Sequence, residues 1–249
     1  MTLPIGSQTA LVAGAGGGIG RAVALRLAEA GARVALVGRN RDNLEATRAA
    51  MRPSDRPAVV APCDVTDRPQ VAATIQMLLA EIGSIDILVY SAGINVPKRS
   101  LRSLDPTDWD RLIATNLTGA FNLVHFTLPM MRERGNGLVI QIGSISAKRP
   151  STLGGAGYSA SKAAQAVLGV CIGREERGRG IRSTVIYSGE VNTSFLDSRS
   201  NRPGGIETSR RETILQPEDI AAAVRFIAEL PPRAHVPEFV IKPTIDDFA

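Results

Sequence analysis

With 249 residues, 44% of them hydrophobic and 21% charged, the chain is long enough to bury a sizeable core and has an ordinary globular composition. Its net charge of +5 comes from scattered arginines, with no continuous basic tract or interleaved aromatics, so nucleic acid is not expected as a partner. Cys63 and Cys171 lack metal-ligand spacing and read as isolated buried thiols, so no metal site is expected; the N-terminus carries no signal-peptide pattern and no apolar run reaches the length of a membrane span, which points to a cytoplasmic protein without a membrane partner.

Thr9 to Ala13 is a short apolar run ending in glycines, the pattern of a buried parallel strand. Gly14-Ala15-Gly16-Gly17-Gly18-Ile19-Gly20 follows, then a helical pattern from Arg21 to Ala30. Strand, glycine turn and helix in this order aim free backbone N–H groups at a pyrophosphate. The spacing of Gly14, Gly18 and Gly20 is the wider form of the dinucleotide fingerprint, which makes Gly14, Gly16, Gly17, Gly18, Ile19 and Gly20 cofactor-binding candidates. A second strand, Arg33 to Val37, runs into Gly38-Arg39-Asn40. At this strand end an acidic residue binds the ribose 2′-hydroxyl in NAD sites; Arg39 here suits a 2′-phosphate, so NADP(H) is expected over NAD(H), the alternative being a solvated arginine before a helix.

A helix over Arg41 to Met51 and a turn rich in Pro and Asp lead to a third strand, Ala58 to Ala61. Asp64, just beyond it, either accepts from an adenine amino group or caps the next helix, Arg68 to Ile82, for which Thr66 and Asp67 are better placed. The fourth strand, Ile87 to Tyr90, ends in Ser91-Ala92-Gly93, small residues that let the backbone approach a cofactor. Pro106 opens a long helical pattern to about Arg134, with Trp109, Leu112, Ile113, Leu117, Phe121, Val124 and Leu128 as its apolar stripe. Asn116 lies within it, either as a structural hydrogen-bonder or as a site residue.

The fifth strand, Leu138 to Ile142, delivers Ser144, and a helix from Gly157 to about Arg177 carries Tyr158 and Lys162. Four apart, these two share a helix face; a lysine cation beside a tyrosine hydroxyl favours the phenolate and suits it to proton transfer. Lysine is scarce, with four in the chain, so its presence here is not filler. Ser144 from the strand end is placed to hold a substrate carbonyl against the tyrosine. After a sixth strand, Ser183 to Tyr187, residues 193–213 turn polar and aperiodic, as a flexible substrate lid would. Arg199, Arg202, Arg210 and Arg211 there either attract an acidic substrate or are simply solvated. A helix from Pro217 to about Glu229 and a short strand, Phe239 to Ile241, complete the chain. Strand–helix alternation throughout, without repeat or linker, implies one α/β domain over 1–249: a Rossmann-type, doubly wound parallel sheet with helices on both faces.

Assembled in order, the glycine turn, Asp64-Val65, Ser91-Ala92-Gly93, Asn116, Ser144 and Tyr158-x-x-x-Lys162 resemble the short-chain dehydrogenase/reductase family over nearly the whole chain. The resemblance implies a sheet of about seven strands, a homotetramer or homodimer packed through the helices of Asn116 and Tyr158, and reversible hydride transfer between NADP(H) and a small carbonyl or alcohol substrate. It implies Tyr158 as acid or base, Lys162 on the nicotinamide ribose, Ser144 on the carbonyl oxygen, and Asn116 fixing a water that relays protons to Lys162. Val65, Gly189, Val191 and Thr193 fall at cofactor positions. Ala13, Ser91 and Ser188 depart from the usual threonine, asparagine and proline, and the C-terminal segment lacks the Thr-Gly-Gln of 3-oxoacyl reductases, so small hydroxy acids and assorted carbonyls fit better. The other function considered is an NADP(H)-sensing protein without turnover.

Overall fold

The computed structural model describes residues 4–197 and 208–246. Seven strands, β1 (Thr9–Ala13), β2 (Arg33–Gly38), β3 (Val59–Pro62), β4 (Ile87–Tyr90), β5 (Gly137–Ile142), β6 (Ile181–Ser188) and β7 (Glu238–Ile241), pair in parallel in the order β3-β2-β1-β4-β5-β6-β7. The helices are α1 (Gly18–Glu29), α2 (Arg41–Ala49), α3 (Arg68–Ile82), α4 (Pro106–Ile113), α5 (Gly119–Arg134), α6 (Ala156–Glu176), α7 (Ser194–Asp197), α8 (Thr208–Thr213) and α9 (Pro217–Glu229). This is the doubly wound arrangement expected from the alternation of patterns.

Alternate residues of each strand face opposite ways, so the sheet builds two cores. Ala10, Val12, Val34, Leu36, Ile87 and Val89 pack against Val23 and Leu27 of α1 and Ile220, Val224 and Ile227 of α9. Leu11, Ala13, Ala35, Val37, Leu88 and Tyr90 pack against Val71, Ile75 and Leu78 of α3 and Leu123, Val124 and Met131 of α5. Each such aliphatic side chain contributes roughly 1.5–3 kcal/mol on full burial. That is why these strands read as continuous apolar runs rather than alternating ones.

The single helix expected from Pro106 to Arg134 is interrupted. Between α4 and α5 the residues Ala114–Thr118 form a π-helical turn, in which the Gly119 N–H donates to the Ala114 carbonyl five residues back. The helix runs close to the end of β4 at this point: a Cβ on Gly119 would lie 2.6 Å from both the Tyr90 hydroxyl and Val65. The Tyr90 hydroxyl donates to the Thr115 carbonyl and ties the widened turn to the sheet. The expected apolar stripe is also only partly core. Leu112, Val124 and Leu128 are buried, but Trp109 and Phe121 remain 38% and 41% exposed. Phe121 stacks on His125 with ring centroids 5.6 Å apart, under the guanidinium of Arg68. Cys63 is buried, whereas Cys171, expected to be buried, is only half-buried.

Of the expected lid at 193–213, the described parts are the stretch through α7 and the helix α8; residues 198–207, with Arg199 and Arg202, lie outside the described residues. Among the described residues no helix is long and apolar enough to cross a membrane.

Candidate active site

In a parallel sheet the crevice forms where neighbouring strands send their chain in opposite directions, outside the carboxyl ends. Here that point lies between β1 and β4. A cavity of about 770 Å³ opens there, lined by Gly14, Gly17, Gly18, Ile19 and Gly20, by Arg39, by Asp64 and Val65, and by Ser91, Ala92 and Gly93. Ser144, Tyr158, Lys162, Gly189, Val191 and Thr193 line the rest of it. Two of the sequence candidates do not reach the cavity wall. Gly16 turns toward α2, where a Cβ would lie 3.1 Å from that of Asn43, and Asn116 sits fully buried behind Gly93.

The glycine turn is shaped by contacts that no side chain could share. Gly14 has φ +81°, and a Cβ there would stand 2.8 Å from the Ala92 nitrogen; one on Gly20 would stand 2.2 Å from the Gly14 carbonyl oxygen. Gly17 precedes α1 with no side-chain cap, so the first N–H groups of this twelve-residue helix open toward the cavity without a side-chain acceptor. Uncapped donors at a positive helix end, beside open space at Gly17, fit the pyrophosphate of a dinucleotide. Thr193 closes the turn from the other side, 3.1 Å from where a Gly18 Cβ would be.

Arg39 is exposed on the cavity rim. Asn40 behind it caps α2 by accepting from the Asn43 N–H at 2.9 Å. The two readings of Asp64 are separated: Asp67 caps α3 by accepting from the Gln70 N–H at 3.0 Å, while Asp64 Oδ1 accepts from Thr66 N–H at 2.9 Å and from its hydroxyl at 2.8 Å. The Asp64 carboxylate is thereby fixed at the cavity wall.

At the other end of the cavity, Gly155 with φ +79° starts α6 and brings Tyr158 and Lys162 inward. The Tyr158 ring lies in an apolar cluster with Val96 and Leu112, flanked by Ile94, Leu104 and Phe195, whose ring centroid is 5.9 Å away. Lys162 is buried; its Nζ donates to the Ile142 carbonyl at 2.9 Å and to Gln165 Oε1 at 2.7 Å. Burial disfavours the ammonium and pushes its pKa down to about 7. Ser144, at the end of β5, accepts from the Ser146 N–H at 3.2 Å.

Asn116 has a structural role. Its Oδ1 accepts from the Ile94 N–H at 2.8 Å, and its Nδ2 donates to the Ile94 carbonyl at 3.1 Å and to the Ser161 hydroxyl at 2.9 Å. Ser161 in turn donates to the Tyr158 carbonyl at 2.8 Å. The asparagine thus clamps the loop after β4 to the first turns of α6, and holds Tyr158 in register with the crevice. A Cβ on Gly93 would lie 3.4 Å from Asn116 Oδ1 and 3.5 Å from Lys162 Nζ, so both converge beneath that glycine.

The arginines of α8 are committed internally rather than free to attract an acidic substrate. Arg210 forms an ion pair with Glu190 at 2.6 Å, and Arg211 donates to Asn192 at 2.8 Å. Ser188, in place of the family's proline, is buried and donates to the Gly143 carbonyl at 3.3 Å. The residues that sequence reasoning missed are Tyr90, Gln141 and Gln165. A glutamine at helical spacing from Lys162 was a signal for the last; nothing local marks the other two.

The family model for short chain dehydrogenases matches residues 8–204. An uncharacterized oxidoreductase of Staphylococcus aureus strain MRSA252 is 33% identical, covering 95% of this chain and 97% of its own length. A glycine betaine reductase of Emericella nidulans is also 33% identical over 96% of this chain, which spans only 19% of that larger protein. Among solved structures, a closed form of serine dehydrogenase complexed with NADP⁺ superposes with a TM-score of 0.86 at 27% identity, covering 97% of each chain. The chain belongs to the short-chain dehydrogenase/reductase family, and is accordingly an NAD(P)-dependent oxidoreductase.

The link between Tyr90 and the π turn is testable. Tyr90→Phe leaves the half-buried Thr115 carbonyl without this donor and should cost about 0.5–1.5 kcal/mol of stability. Urea unfolding followed by circular dichroism reads the change, and an unaltered midpoint would remove the bond from the account.

Proposed function

We propose that the protein transfers a hydride between NADP(H) and a carbonyl or secondary alcohol, with Tyr158 as the acid or base. The carrying observation is that Tyr158, Lys162 and Ser144 meet in one cavity with the glycine turn. When bound, the nicotinamide supplies or takes up the hydride; the chain supplies position and proton handling. In reduction, the Tyr158 hydroxyl gives its proton to the carbonyl oxygen, while the Ser144 hydroxyl donates a hydrogen bond to that oxygen and polarises it. In oxidation the same tyrosine accepts the alcohol proton. The Lys162 ammonium stabilises the phenolate left behind and holds the ribose hydroxyls on the nicotinamide side. Asn116 serves through its clamp on Ser161 and so on Tyr158, and Val191 and Thr193 meet the carboxamide.

Arg39, which forms no ion pair among the described residues and stands at the rim, takes the 2′-phosphate as a charge-assisted contact, and Asp64 accepts from the adenine amino group. The NADP⁺-bound serine dehydrogenase supports this cofactor and a small hydroxy-acid or related carbonyl as substrate. Exposed apolar side chains on α4 to α6 (Trp109, Phe121 and Val167) and on α9 and β7 (Phe226 and Val240) support assembly into a homodimer or homotetramer.

Tyr158→Phe should lower kcat by about 10²- to 10⁴-fold in a carbonyl-reduction assay while NADPH still binds in calorimetry; full turnover by the variant would sink the mechanism. Replacing Arg39 by Asp should weaken NADPH binding by at least about tenfold and leave NADH little changed. Equal loss for both cofactors would remove the 2′-phosphate assignment. In light scattering, the 26.4 kDa chain should run at two or four times that mass, and a monomer at micromolar concentration would reject the assembly.

A further inference from the structure

The geometry points to Gln165 as a positioning residue for Lys162: its carboxamide oxygen holds the buried ammonium, and Gln141 holds that carboxamide from behind. The inference rests on the acid–base reading given above. Gln165 lies three residues after Lys162, on the same face of α6. It is fully buried, as is Gln141 on β5. Lys162 Nζ donates to Gln165 Oε1 at 2.7 Å, and Gln165 Nε2 donates to Gln141 Oε1 at 3.0 Å.

The orientations follow from the chemistry. An ammonium has donors only, so Gln165 must turn its oxygen to Lys162 and its amino group to Gln141, which must answer with its own oxygen. The consequence is visible at the far end: Gln141 Nε2 is buried and has no hydrogen-bond partner among the described residues. An apolar pair at these positions would leave no such orphan. The two glutamines instead provide a neutral acceptor at a fixed place. With the Ile142 carbonyl they engage two of the three Nζ donors and leave the third for the cavity side beneath Gly93.

Neutrality is the functional point. A carboxylate here would bind the ammonium tightly and compete with Tyr158 for it, whereas a carboxamide orients it and leaves its charge to act on the tyrosine. Among titratable side chains, α6 carries Tyr158 and, toward its C-terminal end, Cys171, Arg174, Glu175 and Glu176; α4, packed on α6, carries Asp108, Asp110 and Arg111; β4 ends in Tyr90; β6 has Arg182 at its start and Tyr187 near its end; β5 and the π turn carry none. Burial holds the phenols of Tyr90 and Tyr187 well above their usual range, so neither brings charge. Among the described residues no carboxylate forms an ion pair with Lys162, whose proton affinity is governed by desolvation.

The test follows the Lys162 ¹³Cε shift against pH in the cofactor-free protein, assigned by its loss in Lys162→Met. Gln165→Met removes an acceptor from the ammonium and should lower the titration midpoint by about one pH unit. Gln165→Glu adds a negative charge and should raise it by about one unit or more. In NADPH-dependent reduction the alkaline limb of kcat/KM should move the same way in each variant. Loss of packing alone would lower activity without these opposite shifts. If Gln165→Met does not fold, Gln141→Met reads the same coupling, a lowered midpoint supporting it and an unchanged one overturning it. Midpoints within about 0.3 units of the wild type in both Gln165 variants would overturn the inference. Tyr158→Phe separates the two levels: if it is inactive while the Gln165 variants titrate normally, the positioning role alone is wrong, and if it is fully active, the acid–base reading fails.

Discussion

All seven strands run in the same direction, and that constraint decides where chemistry can occur. Parallel strands need helical crossovers, which cover both faces of the sheet, so the open ground lies at the strand ends. The chain leaves β1 toward one side through α1 and β2, and reaches β4 on the other. The crevice between β1 and β4 therefore collects the ends of elements far apart in sequence. The glycine turn after β1, the small residues after β4, Ser144 after β5 and Gly189 after β6 all arrive at one cavity for this reason.

Within the crevice, the backbone does as much as the side chains. Gly20 lies so close to the Gly14 carbonyl, and Gly14 to the Ala92 nitrogen, that α1, β1 and the loop after β4 form one packed unit. A methyl group at either place would push that unit apart. The helix start is thereby held at the cavity wall with its donors uncovered, and strong anion recognition needs no basic side chain there. Arg39 and Lys162 bring charge to the cavity, and Asp64, Arg111, Glu190, Arg210 and Asp246 also stand in its lining.

The Tyr158 end of the cavity depends on a buried polar lattice. Asn116 fastens the loop after β4 to Ser161, and Ser161 fastens to the Tyr158 carbonyl. Lys162, Gln165 and Gln141 extend the lattice to the end of β5. In a low-dielectric interior each of these bonds is strong and each omission costly, so the whole set fixes rotamers that isolated side chains would leave free. The π turn around Asn116 belongs to the same set, because Tyr90 anchors it from the sheet.

Much of this was readable in the sequence, because it is written in local pattern. Apolar runs between helical periods identified the strands to within two residues, and the glycine spacing identified the turn. Tyr158 and Lys162, four apart on a helix, stated their own geometry. What the sequence could not decide depends on contacts between distant segments. Helical periodicity ran unbroken through Ala114–Thr118, and only the approach of β4 to Gly119 reveals where the turn widens. Trp109 and Phe121 fit an apolar stripe, yet burial is set by what packs opposite, and the described residues leave them 38% and 41% exposed. Gly16 belonged to the fingerprint, but the packing of α2 turned it away from the cavity. Arg210 read as a free charge until the fold set Glu190 beside it. The sequence by itself determined which residue types the chemistry has available, since spacing along one element is a local property. The tertiary structure decided which of them face one another, because long-range contacts are fixed only when the whole chain is packed.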